Sequence, residues 1–180
     1  MRLVEGTARI DDLDDFLGEL TAIGAATDCT VQAFDARYVV DRAHLERALE
    51  RADRAIARGE NVARDRGVEV MLYAAGRRQI DRALAMGVEE GEGPVVVLVA
   101  ADPETETATG TGAGRDDEGE RERAAADRVR DLLDPGEALG EYDEAVVRDY
   151  FDVTDAELAA TAGTLADVIH ERVALLDVRK

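Results

Sequence analysis

Cysteine, lysine and tryptophan are almost missing from this chain: there is one Cys, one Lys and no Trp. A lone Cys29 excludes an internal disulfide and a thiol metal site, and reads as a small buried hydrophobe. Neither H-x-x-x-H nor C-x-x-C occurs, so no zinc ligand set is recognisable. No G-x-S-x-G elbow and no Gly-Lys-Ser/Thr occurs either. The two histidines, His44 and His170, are far apart in sequence and lack a partner pattern, so each reads as a packing or surface residue. No apolar run approaches the length of about 18 residues that a membrane span needs. Met1 to Thr7 has no apolar signal core. These absences lead us to expect a cytoplasmic protein with no membrane partner, metal, cofactor or catalytic residue.

Acid is what the chain has in excess. Asp and Glu number 41 against 22 basic residues, for a net charge of −19, and all the basic residues except Lys180 are arginine. This reads first as adaptation to molar salt, where carboxylates hold water and screening shortens to about 3 Å at 1 M. A DNA-mimicking acidic protein is the alternative. With 180 residues, one domain with a sizeable core is expected.

In chain order, Arg2 to Ile10 reads as a strand and Asp11 to Gly24 as a helix buried through Leu13, Phe16, Leu17 and Leu20. Cys29 to Phe34 is a second strand. Asp41 is placed to cap a helix over Ala43 to Arg58, with Leu45, Ala48, Leu49, Ala52 and Ile56 on one face. Val62 to Arg66 reads as another helical turn. Gly93 to Ala101 is apolar without alternation, as in a strand buried on both faces. Helices are expected over Ala124 to Leu133, over Asp143 to Phe151, after a Thr154/Glu157 capping box, and over Leu165 to Leu176. This alternation predicts a single α/β domain, a central mixed β-sheet flanked by helices.

Asp102 to Arg123 is low in complexity and carries eight acids, four glycines and four threonines. An acidic loop over about 102–120, running into helix, is the expectation. Within it, Thr109-Gly-Thr-Gly-Ala-Gly-Arg115 follows a strand but makes a poor phosphate cradle. Its first Gly stands well past the strand end, behind Asp102, Glu104 and Glu106.

The centre of the chain is Gly67 to Gly87. Val68, Val70, Met71, Leu72 and Tyr73 form a short β-prone run, Ala74-Ala75-Gly76 a small-residue turn, and Gln79 to Met86 a helix. That reading places Arg77 and Arg78 in a first helical turn, where cations are disfavoured and free N–H groups point outward. Two guanidinium groups beside free donors suit an anion, commonly phosphate. The competing reading pairs both arginines with the chain's many acids. From Arg64 to Arg82 five arginines (64, 66, 77, 78, 82) face three acids, a window of net +2. A basic island in an acidic chain suggests a polyanionic partner.

The run Glu69-Val-Met-Leu-Tyr-Ala-Ala-Gly-Arg-Arg-Gln-Ile-Asp-Arg-Ala83 resembles E-[IV]-L-L-Y-x-[ST]-G-[KR]-R-Q-I-x-x-A. That pattern marks the small, kinase-binding (TPRKB-type) subunit of the KEOPS tRNA-modification complex. Val31 to Ala36, His44-Leu45, Asn61-Val-Ala-Arg64, Tyr150 to Leu158 and Val173 to Asp177 are similar to further segments of that family. The departures are Ala75 for Ser or Thr and Met71 for Leu or Ile. The resemblance implies a halophilic archaeal member with a non-catalytic role in threonylcarbamoyl-adenosine modification. It implies two partners: the atypical kinase/ATPase of the complex and the single-stranded 3′ CCA tail of tRNA. On it, Arg77 and Arg78 would meet tail phosphates or stack on bases, Gln79 a base edge, and Arg64 and Arg82 the electrostatic rim. Ala74, Ala75 and Gly76 would let RNA come close, while Tyr73 would be core. In molar salt such a site would lean on stacking and hydrogen bonds more than on charge. For the kinase, the apolar faces of 43–58 and 165–176 are the candidates, unless the core uses them. The alternative is a small enzyme or binding protein that takes a phosphorylated metabolite at Gly76-Arg77-Arg78. A third class is an acidic interaction module without nucleic acid.

Overall fold

β-Branched residues on alternate sides of an extended chain need two apolar layers to bury them. The computed structural model, which describes residues 1–103 and 115–176, supplies both. Four strands, β1 (Arg2–Ile10), β2 (Cys29–Asp35), β3 (Gly91–Ala101) and the two-residue β4 (Asp134–Pro135), form one sheet in the order β2-β3-β1-β4. In β3, Val95 to Ala100 are all 3% exposed or less. Val95, Val97 and Val99 face one core with Val4, Ala8, Phe16, Leu20 and Val129. Val96, Leu98 and Ala100 face the other, with Phe34, Leu45, Leu72, Phe151 and Ile169.

The α/β expectation holds, but the sheet is antiparallel throughout, not mixed. The reading β–α–β suggested parallel neighbours. β1 and β2 are joined by helix α1 (Leu13–Thr27), yet β3 inserts between them and runs antiparallel to both.

α1 is capped by Asp12, which accepts from Asp15 N at 3.0 Å. It does not end at Gly24 as expected but runs on to Thr27 and closes on Asp28. Gly24 is required for another reason: a Cβ there would sit 2.6 Å from the carbonyl oxygen of Cys29. α2 (Arg42–Arg58) begins at Asp41 and ends at Gly59, as read from sequence. α3 spans Arg66–Ala74 and α4 Ile80–Ala83, the latter continued by a 3-10 turn, Leu84–Met86. α5 (Arg115–Arg130) covers the first core with α1; the second core is closed by α2, α3, α6 (Glu144–Tyr150) and α8 (Leu165–Leu175). Short α7 (Asp155–Ala160) precedes α8. Most of the acidic loop, the Thr109 to Gly114 segment and Asp177 lie outside the described residues.

The main correction concerns Val68 to Tyr73, which is helix α3 and not a strand. Gly67 and Glu69 to Ala74 are all buried, and only Arg66 and Val68 are partly exposed, so α3 shows no solvated polar stripe. A five-residue apolar run of that kind cannot be told from a strand by periodicity. Asp65 supplies the missing signal: its carboxylate accepts from Val68 N at 2.9 Å as an N-cap. Nor is the stretch expected as a helical turn over Val62 to Arg66 one: Val62 to Asp65 is loop and only Arg66 is helical, as the first residue of α3. Buried Glu69 accepts from Val62 N (3.0 Å) and Ala63 N (2.8 Å) and holds that segment as loop. The expected capping box is only half present. Thr154 accepts from Glu157 N, but the Glu157 carboxylate turns to Arg172. The reciprocal box is formed by Thr164 and Asp167.

Candidate functional site

Gly76 organises the surface that carries Arg77 and Arg78. Its φ is +59°, the left-handed conformation that Gly adopts without a Cβ penalty. Gly76 N donates to Tyr73 O (3.0 Å) and Arg77 N to Leu72 O (3.1 Å), the paired bonds of a Schellman helix end. The two arginines therefore follow the C-terminus of α3 and do not open a helix. The negative end of that helix dipole favours cations. One ground for an anion site, cations misplaced at a helix N-terminus, falls away. α4 has only four residues, and its cap, Gln79, makes no side-chain bond.

Ala74 and Ala75 are 0% and 1% exposed and cannot let RNA approach; they belong to the core beneath the turn. Ala74 O accepts from His44 Nε2 at 2.8 Å. Full burial lowers His44 to about 4, opposed in part by that bond, so the ring is neutral with its proton on Nε2. Tyr73 is core as expected, at 3% exposure.

Arg77 is half-buried. Its Nη2 donates to the backbone carbonyl of Tyr150 and lies 3.4 Å from Asp152 Oδ2, while its guanidinium carbon sits 5.0 Å above the centre of the Tyr150 ring. Arg78 folds back along α3 into a small cleft with Val62, Glu69, Leu72, Tyr73 and Leu176. Its Nη2 reaches Leu176 O at 3.4 Å, and its Nε is buried with no hydrogen-bond partner. Gln79 and Arg82 are exposed beside them, and Arg82 O accepts from Tyr150 Oη at 2.8 Å. Among the described residues, neither Arg77 nor Arg78 is locked onto a buried acid.

The rest of the basic island lies elsewhere. Arg64 is exposed on the loop before α3, about 14 Å along a nine-residue helix from the turn. Arg66 is consumed internally: it grips Asp53 through two bonds (2.7 and 2.9 Å) and reaches Thr30, Ala101 O and Asp102. Burial alone would make it less basic, but the hydrogen bond and charge of Asp53, helped by Asp102, leave its pKa raised. The apolar stripes of α2 and α8 are spent on the core: Leu45, Ala48 and Ala52 on one, Val168, Ile169 and Val173 on the other. Sequence reasoning missed Tyr150 and Asp152, which stand more than 70 residues from Arg77. It also missed the 2.9 Å contact of His170 Nε2 with Asp41, which ties α8 to the start of α2.

No helix among the described residues is long and apolar enough to cross a membrane. No curated protein matches the chain. A family model described as kinase binding protein CGI-121 matches residues 12–177, and on that match, which spans more than nine-tenths of its length, the chain belongs to the CGI-121 family of kinase-binding proteins.

Proposed function

We propose that this chain is the non-catalytic small subunit of a KEOPS complex, holding the 3′ CCA tail of tRNA while bound to the complex's kinase/ATPase. The observation that supports the tRNA half is the turn after α3. It places two half-buried guanidinium groups, an exposed amide and a further exposed arginine close together in the chain, Gly76 to Gln79 with Arg82, in a net −19 protein. Arg77 spends only one nitrogen on the chain, and Gln79 and Arg82 beside it are exposed. Single-stranded RNA is gripped by such a mixture of fork-shaped cations and hydrogen-bonding side chains. Arg64, at the far end of α3, serves only as a distant rim. Ala74 and Ala75 take no part.

A titration of intact tRNA against tRNA lacking its terminal CCA tests this reading. Wild type should bind the intact form at least tenfold more tightly. The Arg77→Ala/Arg78→Ala variant should lose that preference while still binding the kinase. Equal affinity of wild type for both RNAs removes the tRNA half. A phosphorylated metabolite at Gly76-Arg77-Arg78 is the weaker reading, because α4 is too short to offer a helix N-terminus as its anion site.

A further inference from the structure

Tyr150 stands 73 residues beyond Arg77, on the last turn of α6, and three contacts hold it in place. Its hydroxyl donates to Arg82 O at 2.8 Å. Its ring meets Tyr38 edge-on with centroids 5.1 Å apart, and Phe151 at 5.0 Å. Burial pushes its phenol up to about 12, against the opposing pull of Arg77, so the hydroxyl stays a donor. Arg77 lies on this fixed ring at 5.0 Å, within cation–π range, and its Nη2 is tied to the Tyr150 carbonyl. Asp152, the next residue but one, approaches the same nitrogen, with its own backbone left-handed at φ 54°. Nε and Nη1 take no hydrogen bond among the described residues, and the side chain keeps 19% of its surface exposed. A free arginine of this length samples many rotamers; here one edge is anchored, one face is covered, and the other edge is open.

We propose that Tyr150 is the positioning residue of this surface: its ring and carbonyl present the open edge of the Arg77 guanidinium to the single-stranded 3′ end of an RNA. This rests on the tail-binding reading above. Presentation by a rigid ring lowers the entropy that binding must otherwise overcome.

The test compares full-length Tyr150→Phe, Tyr150→Leu, Arg77→Ala and the double Tyr150→Leu/Arg77→Ala, each titrated with intact tRNA and with tRNA lacking its last three nucleotides. Tyr150→Phe keeps the ring and should bind within about twofold of wild type. Tyr150→Leu should lose about tenfold on intact tRNA, as expected for removing one cation–π support, and nothing on the shortened form. The double variant should be no weaker than Arg77→Ala alone, since both changes remove one contact. Wild-type affinity in Tyr150→Leu, or a further tenfold loss in the double variant, overturns the proposal. Where Tyr150→Leu fails to fold, Arg77→Lys decides. It keeps the charge but not the flat fork, and full binding by that variant is the overturning result. A wild type indifferent to the tail sinks the tail-binding reading itself. A loss with Arg77→Ala and none with Tyr150→Leu sinks only the role of Tyr150.

Discussion

The two ends of α3 place the same residue type in different surroundings. At the N-terminal end, Asp65 caps the helix, Glu69 clamps Val62 and Ala63, and Arg66 spends its donors on Asp53, Thr30, Ala101 O and Asp102. At the C-terminal end, the backbone is closed by Gly76 and a neutral His44, and the two arginines that follow keep unused donors. An arginine with a full set of internal partners is part of the scaffold. One that follows a helix already satisfied by its own backbone keeps donors without internal partners. Position along the sequence does not separate these cases; the supply of nearby acceptors does.

Acid is the strongest way to break this comparison, because the C-terminal end depends on an uncharged ring. His44 titrates at about 4 in the folded chain and near 6.5 when unfolded. Between those values the unfolded chain takes up a proton that the folded chain refuses. Stability therefore falls as pH drops from about 6.5 to about 4, by about 3 kcal/mol from this group. Urea unfolding across that range should show the slope, and His44→Gln, which can still donate to Ala74 O, should flatten it. An unchanged slope in His44→Gln would show that the C-terminal end tolerates charge.

Next in size is Arg66→Ala, expected to cost about 2 kcal/mol. Arg66 is 14% exposed, but Asp53 and Asp102 are 37% and 48% exposed and regain water when it leaves. Preference for the CCA tail should survive in the folded fraction. The Arg77→Ala/Arg78→Ala pair should show the reverse, a stability change under about 1 kcal/mol and loss of tail preference. If Arg66→Ala alone abolished tail binding without unfolding, the division of labour between the two ends would be wrong. The smallest effect is that of Gly76→Ala, about 1 kcal/mol by urea unfolding for a left-handed alanine. Its Cβ would stand 3.4 Å from that of Arg172, close but not a clash. A loss beyond about 3 kcal/mol would mean that α8 presses on the turn more tightly than this distance implies.

Much of the frame was legible because it is written in local chemistry. β1, β2, β3 and α2 show their period and caps within a dozen residues, and Asp41 and Gly59 bound α2 where sequence placed its ends to within a residue. The site was legible only as a cluster of residues. Arg77, Arg78, Gln79 and Arg82 stand together in the sequence, but the element that carries them was misassigned: Arg77 and Arg78 follow the end of a helix and do not open one. The run Val68 to Tyr73 has strand composition, and its burial leaves no polar stripe to mark the helix that Asp65 caps.

Sequence by itself determined the composition of the surface, the strands that alternate or run apolar, the caps of α2 and the family, since each depends on residues close in the chain. Tertiary structure alone decided that β3 lies between β1 and β2, that α3 is a buried helix, and which arginines are already taken. Those outcomes depend on groups brought together over long sequence distances: Arg66 with Asp102, Arg77 with Tyr150, and His170 with Asp41. Whether a guanidinium is scaffold or contact is set by the acceptors that folding places within about 3 Å of it, and no local pattern carries that information.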